Sequence, residues 1–320
     1  MTFDKKLIWT ITDGSQGMRN QVNGLAQQFS KNISEIKTAL FFPWSILQPG
    51  FLPFNQFIFK NKFRLNDLPF MVISCGRKSV YASLYLKSVF KKKITTIHIQ
   101  NPKINPNKFD FVIAPNHDRF VGKNVINSTG ALHHLTKEKI LNNKDNFYLD
   151  SKKNIISIII GGPNNHYHFS NYETDKIISF LKDIISKNKN FSYFIVPSRR
   201  TTDNIINKIK NSLGDKAFIW EKKGINPYLY CLKNSKFFIV TSDSTSMISE
   251  CAFTGKPVYI YDLPFKRKSV RFENFHNEFE KLGITRKISY NLSTWNYKSL
   301  NEAKRIASIL RIRILNKENI

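Results

Sequence analysis

A chain of 320 residues with 50 Lys and Arg against 23 Asp and Glu, net charge +27, is long enough for two domains of ~150 residues. Its 41% apolar content, with 12 Pro and 13 Gly, excludes a disordered or fibrous protein. The charge favours anionic partners such as phosphorylated small molecules, nucleic acid or an anionic membrane face, although an AT-rich genome writes the same excess of Lys over Arg.

In chain order, residues 7–11 predict a strand that stops at Asp13-Gly14-Ser15-Gln16-Gly17, and residues 18–30 continue as a helix. A second strand over 70–74 ends at Cys75-Gly76-Arg77 and leads into a helix over 78–90. Residues 95–100 and 109–114 are strand-like, and the polar stretch 141–154 predicts a linker. A second series follows: strands over 155–160, 192–196, 217–220, 237–240 and 258–261, with helices over 172–187 and 202–212. Leu300, Ala303, Ile306, Ala307 and Leu310 give the last segment, 299–315, a helical apolar spacing. The expected fold class is α/β, with two Rossmann-like domains facing a cleft. The expected boundaries are 1–148, 149–298 and a closing helix over 299–320 that packs back toward the first domain.

In open α/β sheets ligands bind beyond the carboxyl ends of the strands, so the loops there carry the functional reading. In the first half they hold Asp13, Gly14, Gly17 and Gln21, then Gly76 and Arg77, then Gln100 and Asn101, then His117 and Asp118. In the second half they hold Gly161 and Gly162, Ser198, Arg199 and Arg200, and Thr241, Ser242, Asp243 and Ser244. Ordinary turn chemistry explains any one of these loops. Seven on one predicted edge point to a binding site.

The most informative stretch is "VTSDSTSMISECAFTGKPVYIY", where an apolar run stops at small hydroxyl and acidic residues. Ser242, Asp243 or Ser244 caps a helix whose free N–H groups and dipole make an anion site. Hydroxyls there donate to phosphate oxygens. Glu250 cannot hold phosphate, since like charges repel, but it accepts from sugar hydroxyls. Arg199 and Arg200 neutralise the remaining charge. Gly161, Gly162, Ser198, Thr241 and Met247 complete this donor-side set, while Gly14, Gly17, Gln21, Gly76, Arg77, Gln100 and Asn101 form the acceptor side. Asp13 is the preferred general base, with His117 or Asp118 as alternatives, and Asp13 serves equally well as a helix cap.

Other chemistries lack their motifs. The first strand is followed only by Gly14-x-x-Gly17, not GxGxxG, and neither a P-loop nor a GxSxG elbow is present. No two Asp stand two apart, which removes the DxD metal motif, and no metal or other cofactor is expected. Cys75, Cys231 and Cys251 show no CxxC spacing and read as buried, reduced thiols of a cytoplasmic protein. No apolar stretch reaches the ~18 residues of a spanning helix. Nucleic acid is not an expected partner, since no recognised binding motif accompanies the charge.

The pieces "WTITDGSQGMRNQVNGLAQQF", "VISCGRKSVYASLYLK", "IHIQNPKINPNKFDFVIAPNHD", "NVINSTGALHHLT", "IIIGGPNNHY", "VPSRRT" and "VTSDSTSMISECAFTGKPVY" span nearly the whole chain. In this order they resemble the mitochondrial fission ELM1 family, of which this chain looks like a bacterial member. It departs at Ser246 and His134, where the family pattern often has Asn and Arg. The family is related to GT-B glycosyltransferases. That resemblance implies two Rossmann-like domains, metal-independent transfer and a nucleotide-sugar donor held by the second domain. Its plant members imply the alternative, a non-catalytic adaptor on a membrane surface. Residues 41–64, rich in Phe with Trp44 and a basic end at Lys60, Lys62 and Arg64, read as either an interfacial surface for an anionic membrane or lipid-linked acceptor, or a loop tucked on its own core.

Overall fold

The computed structural model describes residues 3–47, 49, 55–147 and 153–318. They form two compact units, one of residues 1–134 with 301–320 and one of residues 135–300.

The first unit is a parallel sheet of β1 (Ile8–Thr12), β2 (Ile33–Lys37), β3 (Met71–Cys75), β4 (Thr95–Ile99), β5 (Phe111–Pro115) and β6 (Val125–Ser128). Its order is β2-β1-β3-β4-β5-β6, so the strand order reverses between β1 and β3. Helices α1 (Gln16–Ala26) and α2 (Arg77–Phe90) cover opposite faces. Strand periodicity explains this: Ile8 packs with Val22 and Leu25 of α1, while Trp9 and Ile11 pack with Tyr81 and Tyr85 of α2. Gly24 lets α1 lie backbone-close on the chain after β6, because a Cβ there would stand 2.2 Å from the His133 carbonyl oxygen.

The second unit holds β7 (Asn154–Ile160), β8 (Phe191–Pro197), β9 (Phe218–Ile219), β10 (Ser235–Thr241), β11 (Val258–Tyr261) and β12 (Thr285–Lys287). All are parallel in the order β12-β11-β10-β7-β8-β9, which reverses between β7 and β10. Helices α3 (Lys137–Leu141), α4 (Asn171–Lys187), α5 (Asp203–Leu213), α6 (Tyr228–Asn234), α7 (Thr245–Ala252) and α8 (Val270–Lys281) complete it. The continuous apolar runs of β7 and β10 are what a parallel strand buried on both faces requires.

The seam falls at His134/Leu135 rather than at 148/149. Leu135 and Ile140 pack into the second unit's core, and Phe147 stacks edge-on against Phe194 and Phe218. The closing helix, α9 (Glu302–Glu318), belongs to the first unit, where Ile306, Ala307, Leu310 and Ile314 join Val22, Leu25 and Phe29. Each large aliphatic side chain among them contributes roughly 1.5–3 kcal/mol by leaving water. It starts at 302 because Tyr297 and Leu300 pack with the second unit, and Glu302 takes the Thr129 N–H at 2.8 Å.

The aromatic stretch divides. Ile58, Phe59 and Phe63 are core residues, and half-buried Trp44 packs on the same cluster. Arg77 donates to the carbonyls of Ser45 (2.7 Å) and Ile46 (2.8 Å), and Tyr81 donates to that of Leu47 (3.1 Å). Phe41, Phe42, Ile46 and Phe57 are exposed. Gly50, Phe51 and Phe54 lie outside the described residues. Among the described residues no helix is long and apolar enough to cross a membrane.

Candidate functional site

The reversal of strand order in the second unit puts the loop after β7 beside the loop after β10, which is where such sheets bind ligands. Asp243 sits between them with a side chain 0% exposed. Its carboxylate accepts from the Thr241 hydroxyl (2.7 Å), the Gly162 N–H (3.1 Å) and the Arg200 guanidinium (2.8 Å). Arg200 also donates to the Gly162 carbonyl (2.9 Å), and the Thr241 hydroxyl accepts from the Gly161 N–H (2.8 Å). The two glycines are therefore a packing requirement. A Cβ on Gly161 would stand 2.1 Å from the Asp243 carboxylate, and one on Gly162 would stand 2.4 Å from the Arg200 backbone.

The hydrogen bonds of these loops revise the roles expected of Arg200, Ser242 and Ser198. Arg200 is engaged by Asp243, whereas exposed Arg199 has no ion pair among the described residues. Ser242 is buried, its hydroxyl accepting from the Leu263 N–H (3.0 Å) and its carbonyl from His276 Nε2 (2.8 Å). It shapes the loop from inside. Ser198 does similar work, its N–H on the Ile160 carbonyl (2.7 Å) and its hydroxyl 3.1 Å from that of Thr201.

Ser244 occupies the N-cap position of α7 without closing it by a side-chain hydrogen bond, and the first turn carries no acidic residue. Residues 244–247, Met247 included, remain partly exposed, and the Ser244 side chain leaves the first N–H groups of the helix without its cap. Two turns on, buried Glu250 accepts from the Tyr228 hydroxyl at 2.7 Å. Burial, and then the charge of Glu250, hold the Tyr228 phenol well above its ordinary pKa, so it stays a donor. Tyr228 lies on α6 and carried no signal in the sequence.

In the first unit, half-buried Asp13 closes β1 and accepts from the Ser15 N–H at 2.9 Å. Asp13 also lies close enough to Cys75 to reinforce, after burial, the upward shift of that thiol. Gly14 (φ +92°) and Gly76 (φ +90°) need their left-handed backbone, and Met18 fills the space beside Gly76. Gly17 has open space around it, Gln21 donates to its carbonyl (3.3 Å), and Arg77 is turned to the 45–46 carbonyls. Gln100 takes a φ of +83°, and Asn101 accepts from the Lys103 N–H (2.9 Å). His117 is buried with Nε2 3.8 Å from Asp118 Oδ1. The end of β1 and the end of β5 are three strand spacings apart, about 14 Å. Asp13 and the His117–Asp118 pair therefore cannot act together on one atom.

The sequence profile of the mitochondrial fission ELM1 family matches residues 16–314. The chain belongs to that family. It is 29% identical to protein RP120 of Rickettsia prowazekii (strain Madrid E), over 96% of this chain and 98% of that protein. It is 26% identical to mitochondrial fission protein ELM1 of Arabidopsis thaliana, over 77% of this chain and 64% of that protein. Among solved structures it is similar to a UDP-GlcNAc 2-epimerase from Methanocaldococcus jannaschii, with TM-score 0.55, 14% identity, and coverage of 96% and 100% of the two chains. The UDP-GlcNAc 2-epimerase from Neisseria meningitidis bound to UDP-GlcNAc gives 0.52, 15%, and 97% and 99%. At these identities the likeness is one of fold. This ELM1-family chain therefore carries two Rossmann-type α/β units of the GT-B kind, and Gly161, Gly162, Arg200, Thr241 and Asp243 meet in one loop cluster of the second unit.

Proposed function

We propose that this chain binds a nucleoside-diphosphate sugar on its second unit and transfers the sugar, without a metal, to a cell-envelope acceptor. The observation that carries the reading is the uncapped start of α7, set at the point where strand order reverses and held by the Asp243–Arg200 brace. The diphosphate lies on the first turn of α7 with Ser244 and Arg199, and the ribose hydroxyls donate to Glu250, which Tyr228 orients. The base comes from the first unit, either Asp13 or the His117–Asp118 pair. The UDP-GlcNAc named for one of the similar structures supports the ligand class, and the missing DxD supports metal independence.

Calorimetry with UDP-, GDP-, ADP- and CMP-sugars tests this directly. One of the four is expected to bind, and Glu250→Gln, which keeps an acceptor for Tyr228, is expected to weaken it about tenfold. No heat from any of them at millimolar concentration would remove the reading.

A second reading, a peripheral adaptor on a membrane, is favoured by exposed Phe41, Phe42, Ile46 and Phe57 near Lys60, whose ammonium stands 5.8 Å from the Phe41 ring. Anionic phosphatidylserine vesicles are expected to sediment the protein, less so as salt rises. Phe42→Ser with Ile46→Ser should abolish this without unfolding, because both side chains are already in solvent. Unchanged sedimentation of the double variant would remove the surface from consideration.

A further inference from the structure

β1 and β2 run in register so that Thr10 stands beside Glu35 and Thr12 beside Lys37. In a parallel pair these four side chains share one face of the sheet, and α1 lies over it with Arg19. Between them is a cavity of about 330 Å³, bounded also by Gly14. That is the low end for a ligand site, with room for one sugar ring and a charged group.

Val22 and Ile36 give the cavity an apolar side, and Thr10, Thr12, Arg19, Glu35 and Lys37 line the rest of it with polar groups. Thr10 is 2% exposed and lines the cavity, yet its hydroxyl has no hydrogen-bond partner among the described residues. A buried hydroxyl left unpaired is costly, and Val would fill the same volume without that cost. The Thr12 hydroxyl accepts from the Gly14 N–H (3.1 Å), which leaves its proton to donate. Both oxygens of Glu35 are already held, Oε2 by Arg19 (2.7 and 2.8 Å) and Oε1 by Asn23 (2.7 Å). Lys37 makes no ion pair or hydrogen bond through its ammonium among the described residues. Its stem lies across Gly14, where a Cβ would meet it at 2.9 Å. Arg19, Glu35 and Lys37 sum to one positive charge.

We propose that this cavity binds a small anion bearing ring hydroxyls, a carboxylated or phosphorylated monosaccharide. Its hydroxyls meet Thr10 and Thr12, and its charge meets Lys37. The site is separate from the nucleotide site of the second unit, and it does not rest on that reading.

The test is saturation-transfer NMR on the full chain, without nucleotide, using glucuronate, glucose 6-phosphate, glucose and inorganic phosphate. Glucuronate or glucose 6-phosphate is expected to bind at least about tenfold more tightly than glucose or phosphate, and the better of the two identifies the acidic group. Thr10→Val should weaken that binding about tenfold while leaving the thermal midpoint unchanged or higher, so the loss cannot be unfolding. Lys37→Gln should erase the preference for the anion over glucose. Absence of saturable binding by all four, or full binding by Thr10→Val, would overturn the proposal and leave the cavity as a solvent-filled void.

Discussion

Arg200→Met is expected to destabilise the second unit by about 3–5 kcal/mol, the usual result of leaving a buried charge without its partner. The Asp243 side chain is 0% exposed and, among the described residues, would keep the Thr241 hydroxyl and the Gly162 N–H. Arg200 itself is 34% exposed and can rehydrate, so the loss arises on the aspartate. Arg200→Lys should recover only part of it, since a point charge cannot serve the Asp243 carboxylate and the Gly162 carbonyl with the same planar fork. Urea titrations of Arg200→Met, Asp243→Asn and the double variant measure the coupling. A midpoint for Arg200→Met that corresponds to less than about 1 kcal/mol would mean that the brace does not depend on charge.

Acid should loosen the first unit well above the range where carboxylates titrate. Burial holds His98, 1% exposed, down to about 3, and burial followed by neighbouring His134 holds His133, 4% exposed, down to about 4. Unfolded histidines titrate near ~6.5. Both folded values are depressed, so the native state favours the neutral rings. The stability this gives is complete above ~6.5 and is lost as pH falls through 6 and 5 toward the folded values. By pH 5 the unfolded chain holds about two protons that the native chain refuses, which amounts to roughly 4 kcal/mol at 1.36 kcal/mol per unit and group. Comparing thermal midpoints at pH 7.5 and pH 5, with His98→Gln expected to remove about half of the drop, checks the assignment. An equal drop in that variant would place the acid sensitivity elsewhere.

Strands that lie in the middle of a sheet were legible because burial on both faces writes a continuous apolar run, as in β3, β7 and β10. The edge strand β2, Ile33-Ser34-Glu35-Ile36-Lys37, was not, since its solvent side admits any polar residue and leaves too short a pattern. The seam at 134/135 escaped for another reason: Leu135 and Ile140 are apolar whichever unit they join. Loop composition revealed the strand ends that matter but not their internal wiring. Asp243 and Arg200 are 43 residues apart, and only the pairing of β7 with both β8 and β10 brings them into contact. Thr10 and Thr12 give no signal, because threonine is an ordinary strand residue and nothing local tells a hydroxyl in a cavity from one on a core wall.

The membership of α9 in the first unit makes the second unit an insertion between two parts of one core. On the ribosome, Val22, Leu25 and Phe29 emerge long before Ile306, Leu310 and Ile314, the side chains that cover them. The unit made second is therefore the first to have all of its residues available, and the unit begun first is the last to close. Throughout synthesis of the intervening 166 residues, 135–300, an apolar strip of the nascent first unit waits uncovered. Stalling or truncation before residue 302 would leave the second unit intact and the other open, a species that chaperones and proteases would recognise by its missing helix.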